Sequence, residues 1–330
     1  MSLIKKIQNE TTKNFIFFFY RNVLIVIFLI KYLNPFGKKS TIKDVHIELS
    51  NICNLKCKWC ASSINEMRKG QFFKKELMKK FLDNITLDKR FDKLRTIRLW
   101  GIGESLLNPE FLEVLTMIKN YKNKAHKKHS NFPEIMLTTN ATLLNQNLSK
   151  KIVQIGALDE IRFSLDGGTK EKFEKIRVGA KWSKVYKNVK NFIKINRGKI
   201  RVKIDCVMET EIGKKDYFSK EWEELFKLVD YHAIRYPSEF DGNANIKITT
   251  RKEKSQKSWI CFALMHSLFI LANGNVSVCC LDWSGRGVVG DFNNEDLYTI
   301  YTSKKRKNMI NNILLKKKHK VPLCRNCRFV

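Results

Sequence analysis

From residue 41 onward the chain alternates short β-rich runs with helical stretches, and no other feature limits its fold so strongly. Strands are expected at Val45–Leu49, Thr96–Trp100, Ile135–Thr138, Glu160–Leu165, Ile200–Met208 and Ala233–Tyr236. Helices are expected at Lys75–Ile85, Pro109–Tyr121, Asn145–Ile155, Lys184–Ile195 and Lys220–Val229, the second with Phe111, Leu112, Leu115 and Ile118 at apolar spacing. Strands joined through helices imply crossover connections, so neighbouring strands run parallel. The pattern predicts an α/β fold, a partial (β/α)6 TIM-like barrel opened on one side. In such folds the site lies at the strand C-terminal ends, where polar residues crowd here.

Around residue 250 the alternation stops, with the boundary expected near 240–255. Three units follow from this: an N-terminal stretch 1–40, a core 41–245, and a small Cys-rich α+β extension 246–330. The extension carries a hairpin signal at Ala272-Asn273-Gly274-Asn275 and a last helix near Leu297 to Leu314. In the first unit Phe15–Tyr20 and Val23–Ile30 are strongly apolar, broken by Arg21 and Asn22 and followed by Lys31. The stretch approaches the roughly 17–25 residues needed to cross a bilayer. An arginine near its middle is costly there, and no small-residue cleavage site follows. Two readings stand. One is a helix lying in the membrane interface, with Lys5, Lys6, Lys13, Lys38 and Lys39 at the headgroups. The other is a helix packed on the core. The expected location is the cytoplasm, with a peripheral position on the inner face of the membrane under the first reading.

The chain has 330 residues, 43% of them hydrophobic, enough to bury a large core. Its net charge of +31 invites a nucleic-acid or membrane reading. The basic residues are mostly lysines spread along the chain among many Asn and Ile, which fits an AT-rich coding bias as well as a binding surface. Nucleic acid is therefore not expected as a partner. Of nine cysteines, seven sit in close groups at 53/57/60, 279/280 and 324/327. In a chain of this size such spacing reads as metal or cluster ligation in a reducing compartment.

Cys53-Asn-Leu-Lys-Cys57-Lys-Trp59-Cys60 is a C-x3-C-x2-C triplet just after the first strand. Three thiolates on one tight loop can hold three irons of a [4Fe–4S] cubane, leaving the fourth iron open for chemistry. A zinc knuckle would lack its fourth ligand, and His46 lies inside the strand at no zinc spacing. The triplet, with Trp59 in an aromatic slot, resembles the radical S-adenosylmethionine (SAM) superfamily. So does Trp100-Gly-Ile-Gly103-Glu104, a glycine-rich run ending in Glu after the second strand. The resemblance implies that Gly103 and Glu104 receive the methionine amino group of SAM, for which a carbonyl and a carboxylate are fitting partners. Leu137-Thr-Thr-Asn140-Ala141 is similar to a family stretch carrying Thr-Asn-Gly. Because Ala141 replaces that Gly, the backbone there is expected not to need a positive φ. Arg162-Phe-Ser164-Leu-Asp166-Gly-Gly and Glu174-Lys-Ile-Arg177 also look like the family. By resemblance Ser164 contacts SAM, while Asp166 and Arg177 line the SAM or substrate side. Alternatively, Ser164 caps a turn and Arg177 pairs with Glu174 on a helix face.

Cys261, Gly274 with Cys279 five residues on, and Cys324-Arg-Asn-Cys327 resemble the SPASM extension of the same superfamily in its short, twitch-like form. That resemblance implies four thiolates, Cys261, Cys279, Cys324 and Cys327, for one auxiliary [4Fe–4S] cluster; a structural zinc is the alternative. Cys206 shares a strand face with Val202, Ile204 and Met208 and is expected to pack outward, leaving Asp205 in the lumen with Lys203 as a candidate substrate contact. Cys280 is expected to point away from Cys279 along a strand, as a hydrogen-atom donor or a space-filling thiol.

The family resemblance implies cleavage of SAM to a 5′-deoxyadenosyl radical that takes hydrogen from a substrate C–H bond, with a flavodoxin- or ferredoxin-type reductant. The leading expectation is net oxidation or epimerisation of a small-molecule or glycan substrate, carbohydrate in type and lipid-linked if the apolar N-terminus meets a membrane. A peptide-modifying maturase is the second reading. An RNA-modifying enzyme or a zinc-binding nucleic-acid protein is a distant third.

Overall fold

The computed structural model describes residues 42–64, 68, 70–127, 131–208, 218–235 and 261–327. The expectations for residues 1–40 and for the 240–255 boundary lie outside these. The strands are β1 (Asp44–Ile47), β2 (Thr96–Leu99), β3 (Glu134–Thr139), β4 (Glu160–Ser164), β5 (Arg201–Val207), β6 (Tyr231–Arg235), β7 (Ser267–Ile270), β8 (Asn275–Ser277) and β9 (Val288–Asp291). They form one sheet in the order β6-β5-β4-β3-β2-β1-β7-β8-β9. From β6 to β7 every pairing is parallel; β8 and β9 return antiparallel. The sheet is not closed, as expected of a partial barrel.

The helices are α1 (Ala61–Ile64), α2 (Lys75–Leu87), α3 (Phe111–Lys127), α4 (Gln146–Ile155), α5 (Lys170–Ile176), α6 (Trp182–Asn196), α7 (Lys220–Leu228), α8 (Phe262–His266), α9 (Leu297–Tyr301) and α10 (Lys304–Leu314). Val45, Ile47, Ile97, Leu99, Ile135, Leu137, Ile161, Phe163, Val202 and Ile204 are buried on the sheet's convex face. Phe163 meets Phe192 of α6 edge to face at 5.6 Å, which marks that face as the helical side. The alternate positions carry polar groups and line the concave face, because side chains along a strand alternate sides. Cys206 is buried with Val202, Ile204 and Met208, matching the expected outward packing.

One expectation about elements changes. The expected last helix, 297–314, is two. Asp296 caps α9 by accepting from the Tyr298 and Thr299 amides, and Ser303 then starts α10 by accepting from the Arg306 amide at 3.3 Å. A capping serine inside an apolar period stops one helix and begins the next. β7, from the C-terminal segment, adds directly to the edge of β1, with His46 opposite Phe269.

Candidate active site

The cysteine loop leaves the end of β1 and is pinned from three sides. The Lys56 and Lys58 amides donate to the Val178 and Ile176 carbonyls at 2.9 and 2.8 Å, and the Cys60 amide closes a turn onto the Cys57 carbonyl at 3.1 Å. Trp59 lies half-buried in that turn. Asn140, just past β3, places Nδ2 3.0 Å from the Asn54 Oδ1 and 3.9 Å from the Cys53 sulfur. Arg177, at the end of α5, puts Nη1 4.0 Å from the Cys57 sulfur while its Nε donates to Asp166 at 2.8 Å. Asp166 also accepts from the Val207 amide at 2.8 Å. Arg177 therefore pairs with Asp166 and not with Glu174, whose carboxylate instead accepts from the Trp182 amide at 3.0 Å.

Gly103 lies against the same loop. A Cβ there would stand 2.3 Å from the Ser50 carbonyl oxygen and 2.5 Å from that of Ile52, so only glycine fits. This close approach lets the Glu104 amide donate to Ile52 at 2.9 Å. The Glu104 carboxylate accepts from Thr139 Oγ1 and the Asn140 amide at 2.8 Å each, and from the Leu106 amide at 3.1 Å. Burial nonetheless pushes its carboxyl above the usual range. An ammonium group delivered to this carboxylate would offset the lost hydration. The side chains thus fit the amino end of SAM.

The sulfurs fit a cluster in their donor chemistry. Burial pushes the Cys57 thiol up to about 12, against the pull of Arg177, so a bare thiolate is uphill and a bound metal is what would favour one. Among the described residues, no three or more His, Cys, Asp or Glu side chains are gathered for a single metal ion. A cubane makes a different demand, since each thiolate takes its own iron.

At the other end, Cys261, Cys324 and Cys327 influence one another electrostatically, as do Cys261 and Cys279. Burial raises Cys324 to about 12. Cys279 and Cys280 lie past the end of β8, and their thiols are close enough to shift one another's titration. The expected opposite orientation along a strand is thus corrected: the chain turns there, with the Asp282 amide donating to the Cys279 carbonyl at 3.2 Å. The turn is built around the Asp282 carboxylate, which accepts from Ser277 Oγ at 2.6 Å, the Gly287 amide at 2.8 Å and the Arg286 amide at 2.9 Å.

Ala141 brings a further correction. Its φ is +60°, the conformation expected not to be needed without glycine. The strain is held by the Ala141 amide donating to Thr139 Oγ1 at 3.1 Å and by Asn188 Nδ2 donating to the Ala141 carbonyl at 2.8 Å. Asp205 lies on the concave face with Lys203 Nζ at 3.2 Å, as expected, and Arg235 Nε at 3.5 Å. Ser164 stands half-buried at the end of β4, opposite Asp205.

Sequence reasoning missed Glu48. Its fully buried carboxylate takes both Arg68 Nη atoms at 2.9 Å, the Ala272 amide at 3.0 Å and the Ile102 amide at 3.3 Å. Arg68 also donates to the Trp283 carbonyl at 3.2 Å. The signal was present: polar residues at 44, 46 and 48, 96, 98 and 100, and 160, 162 and 164 alternate with apolar ones, so the strands' second face is lined with polar groups.

An open parallel barrel with cysteine loops at two places on one sheet defines an iron–sulfur protein of the SAM-using kind, and comparison with known proteins supplies the family. The Radical SAM superfamily profile matches residues 47–232. The SPASM profile, an iron–sulfur cluster-binding domain, matches 261–328. The chain belongs to the radical SAM superfamily, with SAM and [4Fe–4S] clusters as its cofactors. A tungsten-containing aldehyde ferredoxin oxidoreductase cofactor-modifying protein of Pyrococcus furiosus is 28% identical over 125 residues, 38% of this chain and 31% of that one. A probable GTP 3′,8-cyclase of Methanococcus maripaludis is 27% identical over 182 residues, 54% of this chain and 56% of that one. The chain thus spans about a third to a half of these curated relatives. In fold it is similar to BtrN in complex with AdoMet and 2-DOIA, with TM-score 0.58 and 14% identity over 87% of this chain and 93% of that one. Streptococcus suis SuiB bound to its precursor peptide SuiA gives TM-score 0.63 and 15% identity over 93% and 75%. No helix among the described residues is long and apolar enough to cross a membrane.

Proposed function

We propose that the chain is a radical SAM oxidoreductase or epimerase acting on a small carbohydrate-type substrate, lipid-linked in the cell. The observation that carries this reading is the concave face of the sheet, where Arg98, Arg162, Lys203, Asp205 and Arg235 present ionic and hydrogen-bonding groups. A polyhydroxylated molecule can add hydrogen bonds to these ion pairs, whereas an apolar one would strip their water and replace nothing. Cys53, Cys57 and Cys60 would hold the SAM cluster, and Cys261, Cys279, Cys324 and Cys327 the auxiliary one. When bound, SAM and its cluster supply a carbon-centred radical able to take hydrogen from an unactivated C–H bond.

The chain's own residues orient and shield. Glu104 and the Gly103 carbonyl take the amino group of SAM, and Ser164, Asp166 and Asn140 border it. Arg177 keeps a positive charge beside Cys57, and Trp59 shields the loop. Asp205 orients a substrate hydroxyl. Cys280 separates the two outcomes. If its S–H returns a hydrogen atom to the substrate carbon, the product is an epimer, and the thiol then needs one electron and one proton for its renewal. If it does not, the substrate radical would lose one electron to the auxiliary cluster that the four C-terminal cysteines would hold, and one proton to solvent, and the product is oxidised.

The test is anaerobic reconstitution to about eight irons per chain, followed by assay of 5′-deoxyadenosine release with sugar-nucleotide, lipid-linked sugar and peptide pools. Release with sugars is expected. Release with peptides alone would favour maturation and end the carbohydrate reading. Removing residues 1–38 should abolish membrane association; unchanged association and activity would remove the lipid-linked part.

A further inference from the structure

Arg98, on β2, is oddly placed for a concave-face cation. Its Nε is buried and has no hydrogen-bond partner among the described residues, and its carboxylate neighbour Asp44 stands 3.7 Å from Nη2. Asp44 also accepts a short hydrogen bond from Thr96. Nε itself is closed off, but the Arg98 side chain is 32% exposed, so the rest of a guanidinium that the chain leaves under-satisfied can take an acceptor from outside.

His46, directly opposite on β1, adds a second donor. Trp100 Nε1 stands 2.6 Å from His46 Nδ1. An indole N–H only donates, so Nδ1 accepts and Nε2 carries the proton of the neutral ring. Burial, aided by Arg98, pulls the His46 pKa down to about 4, which keeps the ring neutral near pH 7. The rings of Trp100 and Phe269 lie 5.6 and 5.8 Å from His46 and form an aromatic wall. Cys280 is within electrostatic reach of Arg98, so this corner of the lumen faces the C-terminal cysteines.

We propose that Arg98 and His46, walled by Trp100 and Phe269, form a subsite for an anionic group, a phosphate or a carboxylate, carried by the substrate. The guanidinium offers the planar fork that such groups take two-handed, and the imidazole adds a donor without adding charge. His46, Arg98 and Phe269 lie on strands and Trp100 directly follows β2, so the subsite is held in place before binding. The proposal rests on the carbohydrate reading above and narrows it to an acidic or phosphorylated sugar.

Calorimetry on the reconstituted holoenzyme with SAM tests this, using glucose, glucose 1-phosphate, glucuronate, inorganic phosphate and acetate as probes. At least one anionic sugar should bind more tightly than glucose, and which one does so separates phosphate from carboxylate. Arg98→Gln should weaken that anion by about tenfold or more, with Arg98→Lys between the two. No preference for anions, or a preference that survives Arg98→Gln, overturns the proposal. Should Arg98→Gln fail to fold, the unmutated protein still decides: bound anion must slow modification of Arg98 by phenylglyoxal, mapped by peptide mass, and an unprotected Arg98 refutes the subsite. Arg98-dependent binding of phosphate or acetate with no gain from an attached sugar would uphold the subsite and remove the carbohydrate reading.

Discussion

Ala141 is buried at φ +60°, where an alanine costs about 1 kcal/mol relative to a relaxed backbone. Replacing it with glycine removes that strain but loses a buried methyl worth about 0.8 kcal/mol and loosens the unfolded chain. Ala141→Gly should therefore shift the urea midpoint little, whereas Ala141→Val should cost about 2–4 kcal/mol through overpacking and a β-branched side chain at positive φ. The family stretch that Leu137–Ala141 resembles carries a glycine there, which was the clue to this conformation, and the alanine concealed it. Buried donors and acceptors, rather than residue identity, set φ here. His46 gives a pH signature. Its folded value of about 4 lies below the ordinary histidine value of 6.5, so as pH falls through that window the unfolded state takes up the proton first. The stability involved is intact above pH 6.5 and is lost toward pH 4, with a ceiling of about 3 kcal/mol. His46→Asn should flatten the denaturation midpoint between pH 7 and pH 5; an unchanged slope would contradict the burial.

Between elements, Glu48 joins parts of the chain that are far apart in sequence: the end of β1, the turn after β2, Arg68, and the C-terminal segment through Ala272. Gly101 is needed beside it, because a Cβ there would sit 2.4 Å from the Glu48 Cγ. Glu48→Ala leaves the Arg68 guanidinium and two amides without their acceptor, so a loss of about 3–5 kcal/mol is expected in chemical denaturation. Iron content measured after refolding would show whether both cysteine loops suffer together. Strands and helices were legible because their apolar periods are strong, and most observed boundaries fall within two residues of the expected ones. The break between α9 and α10 was less visible, since Ser303 acts through one capping hydrogen bond inside an otherwise continuous apolar pattern.

For the whole molecule, the sheet's continuity from β6 through β9 has a direct consequence. β7 covers the backbone edge of β1, and Ala272 and Trp283 complete the Glu48–Arg68 network. A chain ending at residue 235 would expose that edge and leave the pair short of partners. Such a truncation is expected to aggregate or lose its cooperative unfolding transition; a soluble, cooperatively folding fragment would show that the C-terminal segment is an independent addition.

The sequence alone determined the parallel α/β plan and both sets of cysteines, because periodic apolar burial and ligand spacing are local properties written in consecutive residues. It also set Glu104 beside glycine and left Asp205 to alternate with buried neighbours. Only the tertiary structure decided that Arg177 turns to Asp166, that Cys279 and Cys280 share a turn, that Ala141 adopts a left-handed backbone, and that Glu48 and Arg68 lock the two cysteine-bearing regions onto one sheet. Those outcomes depend on which distant groups compete for a buried hydrogen bond, and folding, not spacing along the chain, brings the competitors together.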